Sequence, residues 1–334
     1  MKAPAPDPVA SPLRFGPWLL LERIGLGGTA EIFRAQPLAA PRASVALKRL
    51  LPMYRDHATV RAMMRNEIKM LQRVQSPRVA QLLSHGNHNR LIWLTMPHYP
   101  GAALADVLRA GPLPVEVALH VAVAIAAALA DVHAAGVVHG DVSPGNVLLR
   151  PDGRVVLLDF GLARRLRARP PQRPPRLRGN WPYLAPEQIS GARPDPRSDF
   201  FSLGALLGEM ASGQPLFVRA TRAATLAAVQ GAVRQPSPEP ALETVLDAFL
   251  QSDCRARPAD ARAAMALLAA GLRDAQTARL ALRARIRSAA ALRSLPLATA
   301  AELRGEAVTD PGVDPTATLL RRLPVAPVAE KAES

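Results

Sequence analysis

His139-Gly140-Asp141-Val142-Ser143-Pro144-Gly145-Asn146-Val147-Leu148-Leu149, followed after a short interval by Asp159-Phe160-Gly161, is the stretch on which the reading of this chain turns. Between the two segments, NVLLRPDGRVVLLDF sets two alternating apolar runs on either side of a Pro-Asp-Gly turn, the pattern of a β-hairpin. Asp141, Asn146 and Asp159 therefore fall in short loops bounded by apolar strands. That arrangement can place one base and two oxygen ligands for a hard cation in a single cleft.

Working outward toward the N-terminus, Gly25-Leu26-Gly27-Gly28-Thr29-Ala30 lies between two strand-like runs. Glycines let backbone N–H groups approach phosphate oxygens without interference from a Cβ. Alone, such a segment reads more readily as just a turn. The next strand carries Val45-Ala46-Leu47-Lys48, in a chain whose basic residues are nearly all arginine and whose lysines are confined to positions 2, 48, 69 and 331. A lysine kept inside an apolar strand suits a site that needs a compact ammonium rather than a planar guanidinium, the alternative being a snorkelling surface lysine. Glu67 follows on a helical pattern from His57 to Val74, where it could pair with Lys48 or simply face solvent.

The surrounding chain divides by pattern. Residues 13–50 read as strands, and two more are expected at Val79–Ser84 and Leu91–Met96, separated by a polar turn HGNHNR. From Ala103 onward helices dominate, beginning with LADVLRA and a long apolar helix over 115–135. A small sheet-rich part followed by a larger helical part predicts two lobes with a cleft between them. The expected boundaries are a disordered leader over 1–12, an N-terminal lobe over 13–97 and a C-terminal lobe over 98–271. Residues 272–334 are expected to form an Ala/Arg-rich amphipathic helix and a disordered tail.

Composition narrows the function classes. The 334 residues carry 42 basic and 27 acidic side chains, a formal net charge of +15. Much of that surplus follows a bias toward arginine, alanine and proline, and aromatic residues at 4% leave few platforms for stacking bases, so nucleic-acid binding is disfavoured. The single cysteine, Cys254, excludes an intramolecular disulfide framework. MKAPAPDPVASP lacks the apolar core of a signal peptide. Val117–Ala130, the most apolar stretch, is interrupted by His120 and falls short of the roughly 20 residues of a membrane span. No membrane span and a cytoplasmic location are therefore expected.

With these residues in order, the chain resembles the eukaryotic-like serine/threonine protein kinases, in particular the bacterial members. The resemblance covers roughly residues 15–271 and extends to Ala185-Pro186-Glu187, Asp199-Phe200-Phe201-Ser202-Leu203-Gly204 and Arg257-Pro258. It implies an α+β, bilobal protein-kinase-like fold, with a small antiparallel sheet and one helix in the first lobe and a larger, mainly helical second lobe. It further implies an ATP-dependent phosphotransferase acting on a protein hydroxyl, with Mg²⁺, or Mn²⁺, as the cation. By the same resemblance Ile24, Gly25, Gly27 and Gly28 would cover the nucleotide, and Lys48, held by Glu67, would meet the α and β phosphates. Met96 would back the adenine pocket, and Pro97 to Tyr99 would form the hinge, His98 offering its backbone. Asn146 and Asp159 would bind the metal, and Asp141 would accept the proton of the attacking hydroxyl. Glu187 and Arg257 would form a buried ion pair, and Asp199 would anchor the catalytic loop.

Departures from the family pattern shape the expected regulation and chemistry. Gly140 stands where most kinases have an arginine that binds a phosphorylated activation loop, and residues 162–182 contain no Ser, Thr or Tyr. Activity independent of loop phosphorylation is the expectation. Ser143 replaces a lysine and Asn180 a threonine that together bridge the catalytic aspartate. We expect Asn180 to hydrogen-bond Asp141, and Arg164 or Arg165 to supply the missing charge. Ala30 takes the place of the third glycine and is small enough to keep the close approach. Seven arginines between 164 and 178, with no acidic residue before Glu187, suit an acidic protein substrate or partner, or else an arginine-biased solvated loop. Two other readings stay open. One is a regulatory pseudokinase or scaffold, favoured by Ser143 and Asn180. The other is a small-molecule phosphotransferase, since HGDVSPGNVLL is also similar to the HGDxxxxN loop of antibiotic and choline kinases. The APE and DFFSLG segments favour the protein-kinase lobe.

Overall fold

Trp18, Leu20, Phe33, Ala35, Val45, Leu47, Leu91 and Trp93 recur at alternate positions, and a period of two puts them together on one face of a sheet. In the computed structural model they form the outer core of the first lobe. The structure describes residues 12–39, 44–166, 179–193, 195–234, 237 and 239–290. The expected leader to residue 11, the tail beyond 290 and the arginines at 167–178 lie outside the described residues.

The first lobe comprises β1 (Leu13–Phe15), β2 (Trp18–Leu26), β3 (Ala30–Pro37), β4 (Val45–Leu50), α1 (Ala58–Leu71), β5 (Ser84–His88) and β6 (Leu91–Pro97). Its strands form one antiparallel sheet in the order β1-β2-β3-β4-β6-β5. Because side chains alternate along β4, Leu47 and Arg49 point to the outer face while Ala46, Lys48 and Leu50 point toward α1. Arg49 is fully buried, paired with Glu31 at 3.0 Å and stacked between Phe15 and Phe33. On the inner face Val60, Met64, Ile68 and Leu71 of α1 pack with Leu50, Ile92 and Leu94.

One strand lies elsewhere than the sequence pattern indicates. The segment expected as a strand at Val79–Ser84 is irregular apart from an isolated bridge between Val79 and Leu157. The strand instead runs through Ser84–His88, the stretch expected as a turn, and the turn is Asn89-Arg90, both at positive φ. Gly86 sits within the strand because the ring of Trp93 lies over it; a Cβ there would come within 2.6 Å of Trp93 Cζ2.

The second lobe contains β7 (Ala102–Ala103), α2 (Leu104–Leu108), α3 (Val115–Ala134), β8 (Val137–Val138), β9 (Val147–Leu149), β10 (Val155–Leu157) and β11 (Arg164–Arg165). It continues with α4 (Pro186–Ile189), α5 (Pro196–Ser212), α6 (Arg222–Gln230), α7 (Pro240–Phe249), α8 (Ala261–Ala270) and α9 (Ala275–Ala290). The expected hairpin is present as β9 and β10, in register from Val147↔Leu157 to Leu149↔Val155. β11 pairs with β8.

At 20 residues, α3 is long and apolar enough to cross a bilayer, which corrects the expectation that no segment reaches that length. Here it is the central helix of the lobe: Leu119, Val121, Ile125, Leu129 and Val132 are wholly buried, and α5, α8 and α9 pack around it. A helix that is apolar nearly all round needs such surroundings. The Ala/Arg-rich helix expected beyond residue 271 forms as α9 and packs on this lobe through Ala278, Leu282, Ile286 and Ala289. Its arginines are used as clamps. Arg279 and Arg283 donate to the carbonyls of Asp152 and Pro151, and Arg285 to those of Ala110, Gly111 and Pro112.

Candidate active site

Strand parity in β4 turns Lys48 toward α1, where the apolar stripe of that helix fixes the rotation that brings Glu67 to meet it. Lys48 Nζ lies 2.7 and 2.9 Å from the two carboxylate oxygens of Glu67 and 3.1 Å from Asp159 Oδ2. Three residues separated by 19 and 92 positions in sequence are thus joined at one ammonium. Burial alone would lower the Lys48 pKa, but the carboxylates of Asp159 and then Glu67 outweigh it and hold the ammonium above its ordinary value. The two carboxylates differ. Burial pushes Glu67 up to about 7 against the Lys48 charge. Asp159 is held below its ordinary value because Lys48 and the Gly161 N–H outweigh the effect of burial.

Asp159 itself adopts a left-handed backbone at φ 58°, uncommon for a residue with a side chain and found where a site over-determines it. Phe160 behind it is fully buried and meets the ring of His139 edge-on at 4.8 Å. His139 Nε2 donates to Leu158 O at 2.9 Å, so the two loops that carry Asp141 and Asp159 are tied back to back.

Asp141 is oriented from two sides. Asn146 Nδ2 donates to its carbonyl at 2.8 Å and to Oδ2 at 3.0 Å. Asn180 donates to Oδ1 from its backbone N–H at 3.3 Å and from Nδ2 at 3.4 Å, and Nδ2 also donates to Ser143 Oγ at 2.8 Å. The bridge expected from Asn180 is therefore made, with Ser143 as its third member. Burial, then the Asp159 charge, raise the Asp141 pKa, opposed by His139 and by the Asn180 and Asn146 hydrogen bonds. The ionised form that can accept a proton fills as pH rises through that raised value.

The loop beneath is anchored by Asp199, which is wholly buried on α5. Its carboxylate accepts from His139 N at 2.9 Å, Gly140 N at 2.7 Å and His133 Nε2 at 2.8 Å. Burial opposes the charge, yet the His133 contact and these N–H groups hold its pKa below the ordinary value. Gly140 takes φ 75°, and a Cβ there would stand 3.3 Å from Leu162 O. A left-handed backbone costs a residue with a side chain roughly 1–2 kcal/mol. Glu187 and Arg257 form the expected ion pair at 2.6 and 2.9 Å, and the guanidinium also donates to the carbonyls of Gln251, Arg197 and Ser252.

The remaining expected residues lie on β2, the β2–β3 turn, β6 and the segment that follows it. Gly25 lies near the end of β2, paired with Ile32, and Gly27 and Gly28 lie in the turn to β3, with Gly27 N donating to Ala30 O at 2.8 Å. None of the three has positive φ, so no left-handed backbone requires a glycine there. Ile24 lies in β2 just ahead. Met96 pairs with Ala46 across β4 and β6, and His98 follows β6 half-buried. Burial and the Arg34 charge lower the His98 pKa.

One expectation is not met. Arg164 and Arg165 make no hydrogen bond or ion pair with Asp141 or Ser143 among the described residues, and instead line a cleft against α1. β-pairing of both residues with β8 holds the backbone there. His133 and Gln188, absent from the sequence reading, also position the loop, Gln188 Nε2 donating to Gly140 O at 3.0 Å. Their contacts span 66 and 48 residues, and no local pattern marks them.

The donor set fits a hard dication. Asn146 commits its amide nitrogen to Asp141 and leaves Oδ1 as an acceptor, and Asp159 adds carboxylate oxygen. Mg²⁺ commonly takes one or two protein oxygens and completes its shell with water and phosphate oxygens. A site of two protein ligands is consistent with the absence, among the described residues, of any cluster of three His, Cys, Asp or Glu that could hold a metal alone.

Comparison with known proteins agrees with this geometry. Residues 18–283 match the family described as protein kinase domain. The chain is 32% identical over 271 residues to the serine/threonine-protein kinase PknD of Mycobacterium tuberculosis, covering 79% of this chain and 40% of that protein. It is 31% identical over 265 residues to PknH of Mycobacterium bovis, covering 78% and 44%, and 32% identical over 212 residues to PknL of Mycobacterium tuberculosis, covering 63% and 53%. The chain thus spans between two fifths and about half of the length of these relatives. From the Lys48–Glu67–Asp159 cluster, the Asp199-anchored loop and this match, the chain belongs to the protein kinase family.

Proposed function

We propose that the chain is a serine/threonine protein kinase that transfers the γ-phosphoryl group of Mg·ATP to a protein hydroxyl. The observation that carries this reading is the joined set of Lys48, Glu67 and Asp159 opposite an Asp141 held by Asn146 and Asn180. Ile24, Gly25, Gly27 and Gly28 would cover the nucleotide, with Met96 and the His98 backbone at the adenine. Lys48 would hold the α and β phosphates, its charge maintained by Glu67 and Asp159. Asn146 and Asp159 would hold Mg²⁺, with Mn²⁺ as a substitute. When bound, the cation would offset charge on the triphosphate. Asp141 would orient the acceptor hydroxyl and take its proton, while Asn180 and Ser143 fix the carboxylate in the absence of the family's lysine.

The catalytic unit is assigned to residues 13–271, with α9 clamped to it, and its place to the cytoplasm. The PknD, PknH and PknL names support serine and threonine as acceptors. The Asn180–Ser143–Asp141 bridge favours transfer over a scaffold role, because a binding-only protein has no need of an oriented base.

Loop phosphorylation is not required in this reading, since residues 162–182 offer no hydroxyl and Gly140 offers no guanidinium. A time course of label transfer from γ-labelled ATP, followed by phosphoamino-acid analysis, tests both points. Label should accumulate on Ser or Thr linearly from the first minutes. A lag abolished by preincubation with ATP would contradict the absence of a phosphorylation gate, and label found only on a small alcohol would contradict the protein acceptor.

A further inference from the structure

On the side of α1 away from the β4 contact, the helix and β11 enclose a cleft of about 520 Å³. Lys69 and Arg73, four residues apart at the end of α1, line one wall, and Arg164 and Arg165 line the other. Met70 is the buried apolar side chain among the lining residues. All four cations are exposed, no carboxylate lines the cleft, and none of the four joins an ion pair among the described residues. Residues 166–186 contain no Asp or Glu, so the chain that continues from β11 brings no neutralising charge.

Four converging cations without a counter-charge form a site for an anion, and three of them are guanidiniums suited to bidentate capture of carboxylates. No aromatic ring lines the cleft, so it offers no platform for a nucleic-acid base. We propose that this cleft docks an acidic segment of a partner protein, with two or more carboxylates bridging α1 and β11.

Such a bridge would act on catalysis through Asn66, in the part of the inference that rests on the kinase reading. Asn66 Nδ2 donates to Ala163 O at 2.8 Å, tying α1 to the residue before β11. The next residue, Glu67, holds Lys48. A ligand spanning Lys69 and Arg73 on one side and Arg164 and Arg165 on the other favours the arrangement in which Lys48, Glu67 and Asp159 meet.

Fluorescence anisotropy of a labelled eight-residue peptide of alternating glutamate and alanine, titrated with the full chain without ATP, tests the docking. Either double variant, Lys69→Glu with Arg73→Glu or Arg164→Glu with Arg165→Glu, should weaken binding at least tenfold. Arg262→Glu, an exposed change on α8, should alter it less than twofold. Alanine versions of the same pairs, checked for unchanged thermal melting, exclude loss through misfolding. An equal loss in all variants would overturn the proposal in favour of diffuse net-charge attraction. Binding at the cleft by an oligothymidylate but not by the peptide would also overturn it. Saturating peptide should raise label transfer by the wild type but not by the double variants. Docking without any change in transfer would refute the coupling through Asn66. Because docking is read without ATP, its failure and a failure of the kinase assignment give different results.

Discussion

Lys48→Met should lower phosphoryl transfer by roughly 10²–10³-fold, the size of effect seen when one preorganised donor to a developing or transferred charge is removed. Among the described residues Lys48 is the one cation in contact with both Glu67 and Asp159, so its loss does more than remove a phosphate ligand. The buried Glu67 carboxylate and the partly exposed Asp159 carboxylate would face each other with nothing between them. Breaking a buried pair by deleting one partner costs about 3–5 kcal/mol, and the Glu67 carboxyl, already pushed up to about 7, would take up a proton to relieve it. Lys48→Arg keeps the charge but not the compact ammonium, and the neighbourhood of a side chain only 10% exposed leaves little room for a planar fork. Both variants should therefore fail in steady-state assays with a melting curve measured alongside. Undiminished turnover in Lys48→Met would remove Lys48 from the site.

Arg257→Ala should have the largest effect on stability. Its guanidinium is wholly buried, pairs twice with Glu187, donates to three carbonyls and lies over the Phe201 ring at 4.9 Å. Removal leaves the Glu187 carboxylate without its cation and three carbonyls without a donor, at a cost of about 3–5 kcal/mol. For a domain of this size, that corresponds to a fall in melting temperature of about 6–10 °C. Because Glu187 opens α4 just after the Asn180 segment, activity should fall along with stability. A melting temperature within about 2 °C of the wild type would show that the pair is not a structural clasp.

The parts of the site legible in the sequence are those set by local chemistry. Glycines between strands, a lysine in an apolar strand and three polar residues at fixed offsets around a Pro-Asp-Gly turn are properties of short windows, and the resemblance supplied their order. What the sequence did not disclose depends on contacts between distant windows. Ser84–His88 is polar and contains Gly86, so it reads as a turn; pairing with β6 and the covering Trp93 ring make it a strand. His133 and Gln188 support the catalytic loop across 66 and 48 residues. The arginines of α9 read as a compositional habit until the carbonyls of the β9–β10 turn and of the loop after α2 are placed beside them. Arg164 and Arg165 were misplaced for a related reason. Sequence distance from Asp159 suggested a role at the phosphate, whereas pairing with β8 sets them against α1.

The Ser143 and Asn180 positions bear most directly on whether the chain transfers phosphate at all. Asn180 spans Asp141 and Ser143 with one amide, so a neutral bridge stands where the family has a charged one. Orientation of the base is retained, and the charge is not. Slower turnover with intact nucleotide binding is the physical expectation, since positioning and charge stabilisation contribute separately.

The most direct measurement is transfer of label from γ-labelled ATP with Mg²⁺ to the protein and to generic acidic and basic protein acceptors, with Asp141→Asn as the paired control and ATP affinity determined for both. The wild type should transfer label to Ser or Thr, and Asp141→Asn should bind ATP equally well yet transfer at least about 10²-fold more slowly. Equal transfer by the two proteins, or ATP binding by the wild type with no transfer to any acceptor, would contradict the account.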